Sequence, residues 1–133
     1  MTAGRAADEL DPFDLPDWVG EVEVTWVAEH GLGDGHRVAG GLTGPDEGQS
    51  LPCDLLAVDQ AYPAPVVDDA TRTRVHQVWQ HGQVLLLRLD ERTTLAVPGT
   101  AFAAEQVLDS MARLARAVGA DPRRWSVRLS LGR

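Results

Sequence analysis

The stretch from Asp68 to Val97 decides the fold, and it reads DDATRTRVHQVWQHGQVLLLRLDERTTLAV. Its first part predicts a helix. Asp68 and Asp69 are good N-cap residues, because a short side-chain oxygen accepts hydrogen bonds from the orphan amides at a helix start. No helix-breaking residue follows until Gly82, where a glycine is typical just after a helix. The apolar positions fall on one stripe at helical spacing, formed by Val75, Val78 and Trp79.

The second part of the stretch predicts a β-hairpin. Val84 to Leu87 is apolar at every position, which is typical of a strand covered on both faces. Asp90 to Arg92 turn the chain, and Thr94 to Val97 form the return strand. We therefore expect the helix to lie across a central hairpin.

Three strands are predicted upstream of this unit. Glu21 to Ala28 alternates polar and apolar residues, which indicates a half-buried strand. The glycine-rich turn from Gly31 to Gly35 leads into a second strand, from His36 to Thr43. Leu51 to Val58 is a third, apolar on both faces apart from Asp54.

Downstream, a second amphipathic helix is predicted from about Ala103 to Val118, followed by a strand from Arg124 to Leu131. The element order is β-β-β-α-β-β-α-β. It favours an α+β fold in which two helices pack on one face of an antiparallel sheet of about six strands. Trp26, Trp79 and Trp125 are predicted to be buried.

At 133 residues the chain is about one domain, which we place at residues 21–133. Residues 1–20 form an acidic N-terminal arm with two prolines close together, which disfavours a regular helix. The arm is nevertheless too apolar to be an inert tail, because it contains Leu10, Phe13, Leu15 and Trp18. Two interpretations stay open: an arm packed on its own domain, or an acidic-hydrophobic segment that docks onto a partner.

Charge is distributed unevenly along the chain. The net charge is −8, which argues against nonspecific nucleic-acid binding by the whole surface. Residues 1–69 hold fifteen Asp or Glu and two Arg, giving −13, whereas residues 70–133 hold five Asp or Glu and ten Arg, giving +5. Lys, Ile and Asn are absent, which indicates codon bias in a GC-rich genome.

The sequence also bears on the compartment. One cysteine excludes an intramolecular disulfide, so nothing requires an oxidising environment. The N-terminus has no apolar signal region, and no apolar run reaches about 18 residues. We expect a cytoplasmic protein without a membrane or nucleic-acid partner.

Residues with reactive side chains carry weak signals. Cys53 sits in an apolar strand with no activating neighbour evident, so a buried structural thiol is the expectation. His76 and His81 are five residues apart and do not share a helix face, and His30 and His36 flank a turn without a cysteine pair. We predict no catalytic residue, no metal site and no cofactor.

A cluster of arginines late in the chain is a candidate partner surface. Arg113 and Arg116 share a helix face, and Arg124 and Arg128 share the polar face of the last strand. Together with Phe13 and Trp18 they are the predicted partner-binding residues. The alternative is that these arginines form a solvated face, or a face that is paired with the chain's own acidic half. We hypothesise that Asp8–Trp18 packs near these arginines, with Leu10, Phe13 and Trp18 in apolar contact and Asp11, Asp14 and Asp17 facing arginines.

Four segments resemble a family of small acidic actinobacterial proteins for which no activity is known to us. They are Asp11 to Trp18, Leu51 to Asp59, Ala61 to Pro65 and Leu95 to Thr100. The element order is separately similar to the type III secretion chaperone-like fold. That resemblance implies a small acidic protein, often dimeric, that binds partner polypeptides. The last strand departs from the chaperone pattern, so the resemblance does not predict that this chain dimerises in the way those chaperones do.

These observations predict a non-enzymatic, cytoplasmic protein-interaction module, chaperone-like or a regulatory adaptor. Its partner would be another protein or a second copy of itself. The alternative is a small enzyme or ligand-binding domain with a pocket between sheet and helices. In that case Asp54, Asp59, Cys53 or a histidine would be the candidate site residues.

Overall fold

The order of strands and helices follows the predicted order, with additions near the N-terminus. The computed structural model describes residues 8–31, 37–58, 67–99 and 102–130. The elements in this part of the chain are β1 (Asp8–Leu10), a 3-10 turn (Pro12–Asp14), α1 (Trp18–Glu21), β2 (Val24–Gly31), β3 (Arg37–Val38), β4 (Gly40–Thr43), β5 (Ser50–Val58), α2 (Asp69–Gln80), β6 (Leu85–Leu89), β7 (Arg92–Pro98), α3 (Ala104–Ala117), a second 3-10 turn (Pro122–Arg124) and β8 (Trp125–Ser130).

The predicted helix signals are confirmed at both ends of α2. The Asp68 carboxylate accepts a hydrogen bond from the Thr71 amide at 2.9 Å, as expected of an N-cap residue. Gly82 follows the helix with a φ of 74°, in the left-handed region that glycine adopts without steric cost. The local sequence therefore sets where this helix begins and ends.

The sheet is mixed and has eight strands in the described part of the chain, so the predicted antiparallel sheet of about six strands is wrong. Its strand order is β1-β6-β7-β5-β4-β2-β8, and β3 also pairs with β5. The pairs β2–β8 and β5–β7 are parallel, and the other pairs are antiparallel. Alternation of apolar residues identifies a strand and its faces but not the direction of its neighbour, which depends on where the connecting helices place the chain.

The helices α2 and α3 lie on opposite faces of the sheet, and the predicted placement on one face is wrong. Leu55 and Ala57 of β5 belong to the buried cluster that includes α3, whereas Leu56 and Val58 belong to the cluster that includes α2. Successive side chains of a strand point to opposite faces, so each helix has its own face. Central strands that are apolar on both faces need a layer on each side.

One of the two faces is covered over only part of its area. The cluster around α2 draws its strand residues from β5, β6 and β7. The side chains of β2, β4 and β8 that share this face are exposed or partly exposed, and we call them the open face: Thr25, Val27, Thr43, Ser126 and Arg128.

The tryptophans and the central hairpin largely follow expectation. Trp26 and Trp125 are buried as predicted. Trp79 is only partly buried, so the prediction of a buried side chain is wrong there; the Arg113 guanidinium carbon lies 3.9 Å from its ring centroid. β6 lies inside the sheet, between β1 and β7.

Candidate interaction surface

The acidic segment, residues 8–23, is tied to the domain at several points. β1 adds to the sheet beside β6, with Glu9 opposite Leu87. Leu10 packs against the core cluster of α3, and Val19 is fully buried in it. The 3-10 turn is capped by Asp11, whose carboxylate accepts from the Phe13 amide at 2.9 Å. The segment is therefore a fixed part of the surface.

Nearly all of the net charge of the protein lies on this segment. Seven Asp or Glu and no Lys or Arg occur in residues 8–23, and all seven are exposed: Asp8, Glu9, Asp11, Asp14, Asp17, Glu21 and Glu23. The whole chain carries −8, so the other residues together carry −1. Among the described residues, the ion pair of this segment joins Glu9 to Arg74 of α2, with an N–O distance of 3.2 Å.

Phe13 projects from the middle of this acidic surface. Its side chain is 74% exposed, and the other exposed large hydrophobic residue of the described chain, Leu108, is 54% exposed. Phe13 lines a shallow cleft of about 190 Å³ together with Leu15, Gly20 and Val118. A capped 3-10 turn thus presents a phenyl ring to solvent within an acidic surface.

A larger groove of about 680 Å³ lies between the acidic segment and the two long helices. It is lined by apolar side chains and by charged groups of both signs, among them Leu10, Asp11, Asp14, Val84 and Arg116. This groove places Arg116 of α3 on the same surface as the carboxylates of the 3-10 turn.

The structure brings four of the six predicted partner-binding residues to one end of the molecule. Phe13 and Trp18 lie on the acidic segment, Arg116 lines the groove, and Arg124 donates from its Nη1 to the Glu21 carbonyl at 3.0 Å. Of the other two, Arg113 stacks on Trp79 of α2, and Arg128 is exposed on the open face.

The predicted docking of Asp8–Trp18 holds in part. Leu10 and Trp18 are partly buried against the core cluster, whereas Phe13 is largely exposed. Among the described residues no ion pair joins Asp11, Asp14 or Asp17 to an arginine. Apolar contact and backbone pairing hold the segment, which leaves its carboxylates available to solvent.

A second charged cluster lies at the boundary between α2 and the open face. Both oxygens of Asp54, which is 1% exposed, accept hydrogen bonds from Arg92, at 3.0 Å from its Nε and 3.0 Å from its Nη2. Arg37 Nη2 donates to the same carboxylate at 2.9 Å, and the Gly40 amide donates at 3.1 Å. Arg92 also pairs with Glu29 at 2.8 Å.

The environment of Asp54 favours its ionised form. Burial alone raises the pKa of a carboxyl group, but the hydrogen bonds from Arg92, Arg37 and the Gly40 amide outweigh it and hold the pKa of Asp54 below its usual value. A carboxylate has about four lone-pair sites, and four donors occupy them here. Asp54 therefore has no acceptor capacity left with which to take a proton from a substrate.

Asp54 also interrupts the ladder of backbone hydrogen bonds that β5 forms with β3 and β4. The pairs on either side of the break, Val38 with Leu55 and Gly41 with Pro52, keep one register. At the break the Gly40 amide donates to the Asp54 side chain, and the Cys53 carbonyl accepts from Trp26 Nε1 at 2.7 Å. Two buried backbone groups thus keep their hydrogen bonds through side chains.

Cys53 lies on the opposite side of β5 from this cluster and is fully buried. Burial raises the pKa of its thiol to about 12, and the Asp54 carboxylate next to it adds to the shift. The thiolate is the nucleophilic form of cysteine, so the position does not favour covalent chemistry.

Cys53 is accordingly expected to resist thiol reagents in the folded protein. At about pH 7.5 an aromatic disulfide reagent should leave the native protein unmodified over many minutes and label it at once in denaturant, because only unfolding exposes the thiol. Labelling of the native protein at the rate of a free thiol would contradict the structural role assigned to Cys53.

The described histidines are engaged with backbone carbonyls. His76 Nε2 lies 2.9 Å from the Val58 carbonyl, and His81 Nδ1 lies 2.8 Å from the Gln77 carbonyl. No group of three or more potential metal ligands occurs in the part of the chain that the structure describes. His36, Asp59 and the side chain of His30 fall outside the described residues.

Three comparisons with known proteins found no relative of this chain. The chain matches no family model, no curated protein and no solved structure. No helix among the described residues is long and apolar enough to cross a membrane.

Sequence reasoning missed three members of the Asp54 cluster: Glu29, Arg37 and Arg92. The available signal was Asp54 itself, since a lone carboxylate inside an apolar strand requires partners when buried. Those partners lie 17 and 38 residues away along the chain. Strand periodicity alone could not identify them.

Proposed function

We propose that this protein is a non-enzymatic, cytoplasmic protein-interaction module whose acidic segment binds a basic polypeptide partner. The observation that carries the proposal is the exposed phenyl ring of Phe13, held on a fixed turn within a surface of carboxylates. In this role the protein acts as a chaperone-like protein or a regulatory adaptor for that partner.

The exposed ring would supply most of the binding energy. Burying a phenylalanine side chain contributes about 1.5–3 kcal/mol, whereas an exposed ion pair contributes about 0–1 kcal/mol. Aromatic anchors of this kind dominate many protein interfaces and fill a pocket on the partner. Because the turn is already ordered in the free protein, little conformational entropy is lost when it docks.

The carboxylates define the class of partner. A segment with seven acidic residues and no basic one attracts a positively charged surface and steers its approach. The same charge repels nucleic acid and anionic lipid headgroups, which carry negative phosphates. A polypeptide with Lys or Arg around an apolar pocket fits both features.

The alternative, a small enzyme or a ligand-binding domain, has less support. Two of its candidate groups are already engaged, since Asp54 accepts four hydrogen bonds and Cys53 is buried with a raised pKa. The groove of about 680 Å³ is wide and is lined by charges of both signs. It serves the interaction proposal equally well, as an extension of the docking surface.

The proposal predicts site-specific crosslinking from position 13. With benzoylphenylalanine in place of Phe13, illumination in the source organism should join the protein to a discrete partner with a basic surface. The same probe in place of Leu108 is the matched control, because Leu108 is also exposed but lies outside the acidic segment. It should give no such product.

The purified pair then gives the affinity test. Phe13→Ala should weaken binding by at least roughly 30-fold, the loss expected of an aromatic anchor, and Leu108→Ala should not. Neither change should alter the melting temperature appreciably, since both side chains are exposed. Equal crosslinking from both positions, or unchanged affinity of the Phe13→Ala variant, would count against the proposal.

A further inference from the structure

The sheet ends in two edges of different character. At one end, β1 is a strand of three residues that carries Asp8 and Glu9. At the other end, β8 is six residues long, contains no proline and pairs with β2 on one side. Its other side has no strand partner in the described part of the chain. A strand edge of this length offers a row of unpaired amides and carbonyls to an added strand.

The side chains of β8 specify what such a strand must carry. Val127 and Leu129 share the face of the α3 core and are only partly buried, so a neighbour would cover more of their apolar surface. Arg128 points to the open face and is exposed. It has no ion-pair partner among the described residues. A strand that alternates apolar and acidic side chains complements both faces.

The edge also discriminates against a second copy of itself. Antiparallel pairing of two β8 strands about a two-fold axis brings the two Arg128 side chains to nearby positions on one face, where like charges repel. A partner strand with a carboxylate opposite Arg128 meets no such repulsion. Arg128 thus hinders self-association while leaving the edge open to an acidic strand.

We infer that β8 is a second binding site, which takes an extended polypeptide segment of alternating apolar and acidic residues as an added strand. Backbone hydrogen bonds along β8 hold the segment, and Arg128 selects for its acidic side chains. The site is separate from Phe13 and opposite to it in charge preference. A protein with both sites bridges a basic partner and an acidic strand.

The test uses two short peptides with the full-length protein. The probe is acetyl-Thr-Val-Glu-Val-Thr-Val-amide, and its matched control has Lys in place of Glu. Fluorescence anisotropy of labelled peptides should show the Glu peptide binding about tenfold more tightly than the Lys peptide. The reason is that Glu attracts Arg128 across the strands, whereas Lys repels it. Amide hydrogen exchange should slow at residues 125–130 when the Glu peptide is bound.

Charge reversal separates the specific site from general electrostatic attraction. Arg128→Glu should invert the preference, so that the Lys peptide binds more tightly. Arg88→Glu, at an exposed arginine on the interior strand β6, should leave the preference unchanged. Phe13→Ala should also leave it unchanged, which makes this result independent of the Phe13 anchor.

Three outcomes would overturn the inference. They are equal binding of the two peptides, exchange protection outside β8, and a protein that sediments as a dimer with its β8 amides already protected. The last would assign the edge to a second copy of the chain. The wild-type peptide measurements decide the question even if a variant fails to fold.

Discussion

Replacement of Asp54 by alanine is expected to lower the free energy of unfolding by about 3–5 kcal/mol, the cost of breaking a buried ion pair by removing one partner. The change leaves Arg92 and Arg37 without their shared carboxylate and the Gly40 amide without an acceptor. Urea denaturation followed by tryptophan fluorescence measures the effect.

Glu29→Gln is the matched control for Asp54→Ala. Glu29 also pairs with Arg92, but its side chain is 47% exposed, so loss of its charge should cost about 0–1 kcal/mol. Similar losses in the two variants would show that the buried carboxylate has no special role in stability.

The same carboxylate makes stability depend on pH. The folded-state pKa of Asp54 lies below its unfolded value, so its contribution is fully present above the unfolded pKa, about 4. It is lost as the pH falls through the folded pKa. Wild-type protein should therefore lose stability on acidification below about pH 4 more steeply than Asp54→Ala does.

Gly40→Ala is expected to lower the free energy of unfolding by about 2–4 kcal/mol. A Cβ at position 40 would lie 2.3 Å from Cζ2 of Trp26, so the buried indole must move. Overpacking of a core costs about 1–3 kcal/mol. Movement of the indole also weakens its hydrogen bond to the Cys53 carbonyl, which then lacks a partner.

The neighbouring glycine provides the control for this substitution. A Cβ at Gly41 points to the other face, where its nearest contact is the Leu51 carbonyl oxygen at 3.2 Å. Gly41→Ala should change the free energy of unfolding by less than about 1 kcal/mol, since a small strain is offset by the lower backbone entropy of alanine. Trp26→Phe should reduce the cost of Gly40→Ala, because the two residues share one contact.

The sequence predicted well those elements whose signals are local. The caps and apolar stripe of α2, the hairpin of β6 and β7 and the alternation in β8 each lie within a few neighbouring residues. These features depend on short-range geometry and solvent exposure, which a single sequence records directly.

The parts that were wrong or missed depend on long-range placement. The sequence of Val84 to Leu87 already indicated a strand covered on both faces, yet we predicted both helices on one face. Pairing directions and the partners of Asp54 arise only when strands far apart in the chain meet, as with Arg92 and Glu29, which are 63 residues apart. Phe13 was predicted to make apolar contacts because it is a phenylalanine. In the structure it faces solvent, which the residue type alone does not reveal.

The parallel pairing of β2 with β8 joins segments about 100 residues apart, as the contact between Thr25 and Ser126 shows. During synthesis, β2 therefore emerges from the ribosome long before its outer neighbour exists. Until residues 125–130 have been translated, the strand that carries Trp26 has one unpaired side. The nascent chain must keep that edge from pairing elsewhere until β8 has been synthesised.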